Sequence, residues 1–132
     1  MQLIKKEPNF CDDRGQITDL IEGRTVDAIT ILTSVKGAVR GNHYHKETTQ
    51  YTYILEGSCI YHYQEESAPP KALRVTKGDL VISPPLERHA LEALEDSVLL
   101  AFCHGPRAGT QYEVDTFRLD PPLCDPRRKG SR

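Results

Sequence analysis

Three histidines carry residue types and spacing that suit chemistry. His43 and His45 lie two residues apart in a segment rich in Val, Tyr, Thr and Ile, and His89 lies in a later apolar segment. Aromatic and β-branched residues favour a strand, in which residues i and i+2 point to the same face. Neutral imidazoles bind transition metals, and an imidazole with a pKa of about 6.5 also transfers protons at neutral pH. His43 and His45 are therefore candidate metal ligands or acid-base groups.

The elements that must position these histidines are short strands. Segments of strand propensity recur at intervals of about ten residues, separated by turn residues such as Gly57 and Lys77-Gly78-Asp79. The predicted strands are Ala28–Ser34, Gly37–His45, Gln50–Glu56, Ser58–Gln64, Ala72–Thr76, Leu80–Ser83, His89–Leu94, Ser97–His104 and Val114–Leu119. No segment predicts a long helix. This pattern predicts an all-β fold, a barrel or a sandwich of antiparallel strands.

The length and charge of the chain limit its class. At 132 residues the chain has the length of one domain, with 17 Lys and Arg against 19 Asp and Glu and a net charge of -2. Such a balance provides no basic field for nucleic acid. No apolar run approaches the roughly 20 residues that a membrane span requires. We expect a small-molecule partner, with neither nucleic acid nor membrane.

Cysteine usage and the chain termini predict the compartment and the domain boundaries. The four cysteines show no C-x-x-C spacing, and the N-terminal residues are too polar for a signal peptide. We therefore expect a reduced, cytoplasmic protein. Residues 1–120 are predicted to form a single domain. Residues 121–132 are rich in proline and charge, which predicts a disordered tail.

The segment around the histidine pair has the form G-x5-H-x-H-x4-Q-x6-G, from Gly37 through His43, His45 and Gln50 to Gly57. It resembles the first signature of the cupin family, which usually has Glu at the position of Gln50.

A second cupin signature, G-x5-P-x-G-x2-H-x3-N, resembles the segment containing Gly78, Pro84 and His89, with Leu86 and Ala93 in place of the family's Gly and Asn. Together the two resemblances imply a cupin: a small antiparallel β-barrel of the jelly-roll type. Short cupins commonly pair through edge strands, so a homodimer is expected.

The cupin resemblance implies a divalent metal. In a barrel, His43 and His45 from one strand and His89 from another can converge on one point, with Gln50 as a fourth or more distant ligand. An amide oxygen is a weaker ligand than a carboxylate, so the ion would be held less tightly and its charge left unneutralised. Zn(II), Fe(II), Ni(II) or Mn(II) are the expected ions. The leading hypothesis is a metal-binding cupin enzyme that acts on a small polar substrate such as a sugar or sugar nucleotide.

A metal-free enzyme is the main alternative. The segment from Arg40 to Gln50 also resembles the metal-free sugar-nucleotide ketoisomerases and, less closely, the deoxysugar 3,5-epimerases, both of which have cupin folds. This resemblance implies that His43 and His45 act as acid and base beside a ketone. His89 within a second signature is not a mark of those isomerases. A three-histidine Fe(II) dioxygenase and a non-catalytic cupin that binds a small molecule remain further alternatives.

Three other residues are candidates for the site. Tyr53 could act as a general acid, and Tyr61 could contact substrate, because about half of the central tyrosines should face the barrel interior. Arg40 could bind a phosphate or carboxylate through two hydrogen bonds. For each of them, packing or surface exposure is the ordinary alternative.

Overall fold

Twelve strands account for the regular structure of the described residues in a computed structural model of the chain, which describes residues 1–107, 111 and 113–125. The strands are β1 (Gln2–Lys5), β2 (Phe10–Asp12), β3 (Gly15–Ile17), β4 (Ala28–Ser34), β5 (Val39–Tyr44), β6 (Thr49–Glu56), β7 (Ser58–Gln64), β8 (Lys71–Thr76), β9 (Asp79–Ser83), β10 (Arg88–Ala93), β11 (Ser97–His104) and β12 (Phe117–Arg118). No helix among these residues is long and apolar enough to cross a membrane.

Two five-stranded sheets form the barrel. Their strand orders are β1-β9-β6-β11-β4 and β12-β5-β10-β7-β8, and β2 and β3 form a separate hairpin. Neighbouring strands pair antiparallel, as in β11 with β6 and β10 with β7. Buried residues of both sheets, among them Ile54, Tyr61 and Leu99, join in one core cluster, so the sheets pack face to face. The fold is the all-β cupin jelly roll that the sequence predicts.

The first sheet is apolar on both faces. In β6, Ile54 points to the core between the sheets, whereas Tyr51 packs in a second cluster with Leu80 and Phe102. The segment between β3 and β4 covers this second cluster with Leu20 and two neighbours, Ile21 and Val26. Successive residues of β6 therefore have different surroundings, one set inside the barrel and the other beneath a loop.

A bulge in β5 sets the direction of its side chains. Gly41 and Asn42 both have positive φ, 90° and 57°, and the pairing with β10 shifts register at this point. His43 lies opposite His89, while Arg40 lies opposite Leu91 on the far side of the bulge. The extra residue therefore lets side chains three positions apart face the same interior.

The C-terminal segment packs on the second sheet. Strand β12 pairs with β5, and the backbone N–H of Leu119 donates to the carbonyl oxygen of Asn42 at 2.8 Å. Cys124 is buried, with the side chain of Asn42 bonded to its backbone. These hydrogen bonds hold Cys124 against β5, and the disorder predicted for residues 121–132 stays a prediction. Residues 126–132 lie outside the described residues.

Candidate active site

A cavity of about 220 Å³ lies inside the barrel. His43, His45 and His89 line one wall, and residues of the other sheet, including Gln50 and Thr52, line the facing wall. Apolar side chains of both sheets complete the lining. The cavity is large enough for part of a small polar ligand, and polar side chains, the histidines among them, make up much of its lining.

The histidine cluster consists of His43, His45 and His89. The ring centroid of His43 lies 4.8 Å from that of His45 and 4.8 Å from that of His89, and His45 and His89 are 5.4 Å apart. One ring nitrogen from each histidine lies within 4.8 Å of the other two. The fold thus brings together the three histidines that the sequence singles out.

A hydrogen bond determines the tautomer of His45. Its Nδ1 lies 2.7 Å from the backbone carbonyl oxygen of Asp115. A carbonyl oxygen can only accept, so Nδ1 carries the hydrogen and the neutral ring has its lone pair on Nε2. His45 Nε2 is buried and has no hydrogen-bond partner among the described residues. His45 therefore presents a bare nitrogen that can accept a proton or bind an ion.

Burial keeps the other two rings neutral. Desolvation, followed by the nearby charges of His45, Arg118 and Arg107, lowers the pKa of His43 to about 4. Desolvation, followed by the charges of His43 and His45, also places the pKa of His89 well below its ordinary value. Both rings are therefore uncharged at neutral pH.

Asp115 supports His45 from the segment before β12. Its carboxylate accepts hydrogen bonds from the backbone N–H groups of Lys46, Glu47 and Thr48 and from the Thr48 hydroxyl, at 2.8–2.9 Å. Burial by itself raises the pKa of Asp115, but these hydrogen bonds outweigh it and lower that pKa overall. The same residue thus fixes the turn after His45 and, through its carbonyl, the imidazole.

Tyr61 packs against the ring of His89. The two rings are stacked with centroids 6.2 Å apart, and the Tyr61 hydroxyl donates to Glu87 Oε1 at 3.0 Å and also contacts the Ser83 hydroxyl. Burial, followed by the negative charge of Glu87, raises the pKa of Tyr61, so the phenol stays protonated. Its ring lines the cavity, while its hydroxyl is engaged by protein groups.

The structure places Gln50 and Tyr53 differently. Gln50 lines the cavity and donates from Nε2 to the Thr52 hydroxyl at 3.0 Å. Tyr53 packs in the cluster formed with Leu80 and Phe102, on the other face of β6. Because strand residues alternate between faces, Gln50 and Tyr53, three positions apart, cannot both point into the barrel. The interior position expected for Tyr53 is therefore corrected, and this residue lies apart from the histidine cluster.

Arginines add positive charge to the cavity wall. Arg40 lines it and donates from Nε to the Ser34 hydroxyl at 2.8 Å and from Nη2 to the Thr33 carbonyl at 2.7 Å. Arg107 and Arg118 line the same cavity, as does Glu113, whose carboxylate forms an ion pair with Arg118. Three guanidinium groups against one carboxylate leave the lining with an excess of positive charge, which suits an anionic ligand.

The cluster also has the donor set of a metal site. His43 Nδ1, His45 Nε2 and both nitrogens of His89 are buried without a hydrogen-bond partner among the described residues. Unpartnered buried nitrogens are costly, and a bound cation would satisfy one on each ring. The three rings thus fit a divalent transition metal, with Gln50 on the facing wall.

The fold and the histidine-lined cavity are those of a cupin. The chain belongs to the polysaccharide biosynthesis C-terminal domain family, whose model matches residues 10–117. The recognition made from the two sequence signatures is thereby confirmed at the level of the superfamily. No curated protein sequence matches the chain significantly.

Solved structures of sugar-nucleotide enzymes resemble this fold. A double mutant of the QdtA 3,4-ketoisomerase from Thermoanaerobacterium thermosaccharolyticum, in complex with TDP, has 26% identity and a TM-score of 0.72, with 91% of this chain and 88% of that chain covered. The dTDP-4-dehydrorhamnose 3,5-epimerase from Sulfolobus tokodaii has 25% identity and a TM-score of 0.65, with 78% and 69% covered. The capsular polysaccharide assembling protein CapF from Staphylococcus aureus, at 22% identity, TM-score 0.60 and coverage of 86% and 32%, shares the fold.

Proposed function

We propose that this protein is a sugar-nucleotide isomerase or epimerase that transfers protons at a carbon beside a ketone. The observation that carries the proposal is the bare Nε2 of His45, whose tautomer is fixed by Asp115 and which lies beside His43 and His89 in a cavity. The structural likeness to a 3,4-ketoisomerase and to a 3,5-epimerase supports it. Both reactions begin with removal of a proton next to a carbonyl group.

In the proposed mechanism, His45 acts as the base. Its Nε2 takes the proton from the carbon next to the ketone, and the electron pair of the C–H bond moves toward the carbonyl oxygen to form an enediolate. The Nδ1–H bond to the Asp115 carbonyl stabilises the imidazolium that results. Return of the proton to the opposite face of the same carbon gives the epimer. For the isomer, the proton returns to the former carbonyl carbon, while the hydroxyl proton of the neighbouring carbon moves to the former carbonyl oxygen. His43, with its ring centroid 4.8 Å away, is the relay for this return: its neutral ring takes the proton from the His45 imidazolium and passes it to the carbon, so both rings end neutral.

The arginines supply a site for the nucleotide. A guanidinium group binds phosphate oxygens through two parallel hydrogen bonds, so the cavity arginines suit a diphosphate. Arg40 is already fixed by Ser34 and Thr33, so less side-chain freedom is lost when a ligand binds. An anionic, sugar-like substrate therefore fits the charge of the cavity.

Solvent deuterium exchange tests this proposal. The protein is incubated in deuterated water with thymidine-diphosphate 4-keto-6-deoxyglucose, and deuterium beside the ketone is followed by NMR. We expect exchange in the unaltered protein and in His104→Gln, an exposed histidine paired with Asp27 outside the cavity. In His45→Gln we expect exchange to fall by about 10²–10⁴-fold, the usual contribution of a positioned base. Tight binding without exchange across a panel of keto-sugar nucleotides would instead indicate a non-catalytic binding protein.

A metal-binding function is the second candidate, favoured by the unpartnered nitrogens of the cluster. His43, His45 and His89 would hold the ion, which when bound would polarise a substrate oxygen. Elemental analysis of untagged protein checks this. We expect one equivalent of metal fewer in His89→Ala than in the unaltered protein, and equal metal content in the two proteins would contradict the candidate.

A further inference from the structure

A second group of potential metal ligands lies outside the cavity. His62 on β7, Glu92 on β10 and Cys124 in the C-terminal segment bring a nitrogen, an oxygen and a sulfur atom within 4.8 Å of one another. His62 alternates with Tyr61 and Glu92 with Leu91, which line the cavity, so His62 and Glu92 face away from the barrel interior. This His62–Glu92–Cys124 group is thus separate from the histidine cluster.

Secondary structure holds the two strand ligands close together. His62 pairs with Ala90 in the register of β7 and β10, so Glu92 is the diagonal neighbour of His62 on the same face. Diagonal neighbours of an antiparallel pair lie within reach of long side chains. His62 Nε2 and Glu92 Oε1 are 3.3 Å apart, and Glu92 is buried.

Asn42 positions the third ligand. Its side-chain amide donates to the backbone carbonyl of Cys124 at 2.9 Å, and its side-chain oxygen accepts from the backbone N–H of Cys124 at 2.9 Å. The carboxamide thus binds the Cys124 backbone at two points, as a neighbouring strand would. The Cys124 Sγ is thereby held 3.9 Å from Glu92 Oε1.

Two of the three separations are close to the edges of a tetrahedral zinc shell. With Zn–N and Zn–O bonds of about 2.0 Å and a Zn–S bond of about 2.3 Å, tetrahedral angles give edges of about 3.3 Å for N···O and about 3.5 Å for S···O. The corresponding distances in the structure are 3.3 and 3.9 Å. The third edge, from a His62 nitrogen to the Cys124 sulfur, lies within 4.8 Å, so the sulfur atom would move toward both other ligands to share an ion with them.

We propose that His62, Glu92 and Cys124 bind a structural Zn²⁺ that ties the C-terminal segment to the second sheet. A thiolate, a carboxylate and a neutral imidazole together carry a charge of −2, which a divalent ion balances. Glu92 and Cys124 are both buried. Glu92 already contacts His62, but a thiolate at Cys124 adds a second buried negative charge, which the ion would pair. Binding releases the thiol proton to solvent, so one Zn²⁺ enters as one H⁺ leaves. The fourth position of the shell accepts water or another donor.

Co²⁺ titration tests the site, because a cobalt thiolate gives a charge-transfer band in the near ultraviolet that imidazole ligands do not give. We expect this band to saturate at one equivalent in the unaltered protein. It should persist in His89→Ala, which alters the cavity cluster, and in Cys11→Ser, which alters an exposed cysteine. It should disappear in Cys124→Ser and in His62→Ala, and Zn²⁺ should displace Co²⁺ from the unaltered protein.

Zn²⁺ affinity, measured in variants that should still fold, separates loss of the site from loss of the fold. Cys124→Ser retains the backbone bonds to Asn42, and His62→Gln alters only a partly exposed strand position. In both variants we expect Zn²⁺ affinity at this site to fall by on the order of 100-fold, since loss of a group that only supports a ligand already costs 10–100-fold. Absence of a thiolate band in the unaltered protein would overturn the proposal. A band that survives Cys124→Ser, or that is lost in Cys11→Ser, would overturn it equally.

Discussion

Asp115 connects the catalytic candidate His45 to the rest of the fold. Its carbonyl fixes the imidazole, and its carboxylate accepts four hydrogen bonds from the turn that follows His45. The sequence does not reveal this role of Asp115, because the bonded residues lie 67 to 70 positions away along the chain. The backbone N–H groups of the turn after His45 have no acceptor close by in the sequence. That lack is the one sequence signal that a distant acceptor such as Asp115 is needed.

Asp115→Asn should destabilise the protein. An amide offers a single uncharged acceptor oxygen, so buried N–H groups of the turn are left unsatisfied at a cost of about 1–3 kcal/mol. We expect a loss of this size in the free energy of unfolding, measured by chemical denaturation. Asp13→Asn, at an exposed position, is the control and should leave stability within about 0.5 kcal/mol of the unaltered protein.

The difference in the free energy of unfolding between the unaltered protein and Asp115→Asn depends on pH, because the pKa of Asp115 is lowered in the folded protein. A depressed carboxyl pKa gives a stabilisation that is complete above the unfolded-state value of about 3.9 and is lost as the pH falls through the folded-state value. The stability difference between the unaltered protein and Asp115→Asn should therefore be constant from pH 7 to about pH 5 and shrink below about pH 4. A difference that already shrinks near pH 6 would point to a histidine instead.

At the scale of elements, the bulge in β5 decides which residues enter the cavity. Without the extra residue, Arg40 and His43 would face opposite sides of the sheet. A Cβ at Gly41 would lie 3.0 Å from the backbone oxygen of His89 and 3.2 Å from the Cα of Ala90. Close strand contact and positive φ both require glycine here.

Gly41→Ala should disturb the cluster. Positive φ costs an alanine about 1–2 kcal/mol, and displacement of β10 should add about 1–3 kcal/mol, as overpacking does elsewhere. Gly23→Ala is the control, because Gly23 has φ of 66° and nothing within 4 Å of the added Cβ. Denaturation should show a larger loss for Gly41→Ala than for Gly23→Ala, together with shifted NMR signals of His89. Equal losses in the two variants would show that β10 accommodates the methyl group.

At the scale of the whole molecule, one sheet edge is apolar and exposed. Strand β4 ends the first sheet, and Ile29 and Ile31 on it are 68% and 67% exposed. An apolar edge strand favours pairing with another chain. Two copies of β4 related by a twofold axis would join the sheets and bury these isoleucines, so the homodimer predicted from the sequence has a specific candidate interface.

Ile31→Lys should prevent such pairing, because it places a charge in an apolar contact. We expect sedimentation equilibrium to give the mass of two chains for the unaltered protein and of one chain for Ile31→Lys. Val114→Lys, which alters another exposed apolar residue away from β4, should keep the mass of two chains. A single-chain mass for the unaltered protein would refute the dimer.

The sequence by itself determined the strands from β4 to β11 and the identity of the histidines, but it did not predict β1 to β3. Ala28–Ser34, Ser58–Gln64 and Ser97–His104 are strands with the predicted bounds, because alternating apolar residues between turn residues are local signals. The two spaced signatures then indicated a barrel that unites His89 with the earlier pair.

Only the tertiary structure decided which faces and which distant partners these residues have. Three features depend on strand register. They are the bulge that turns Arg40 inward, the packing of Tyr53 beneath a loop, and the hydrogen bond from His45 to Asp115. Register arises from pairing between segments far apart in the chain, and a shift of one residue reverses every side chain. The sequence therefore supplied the histidines, and the sheet pairing turned them toward a common cavity.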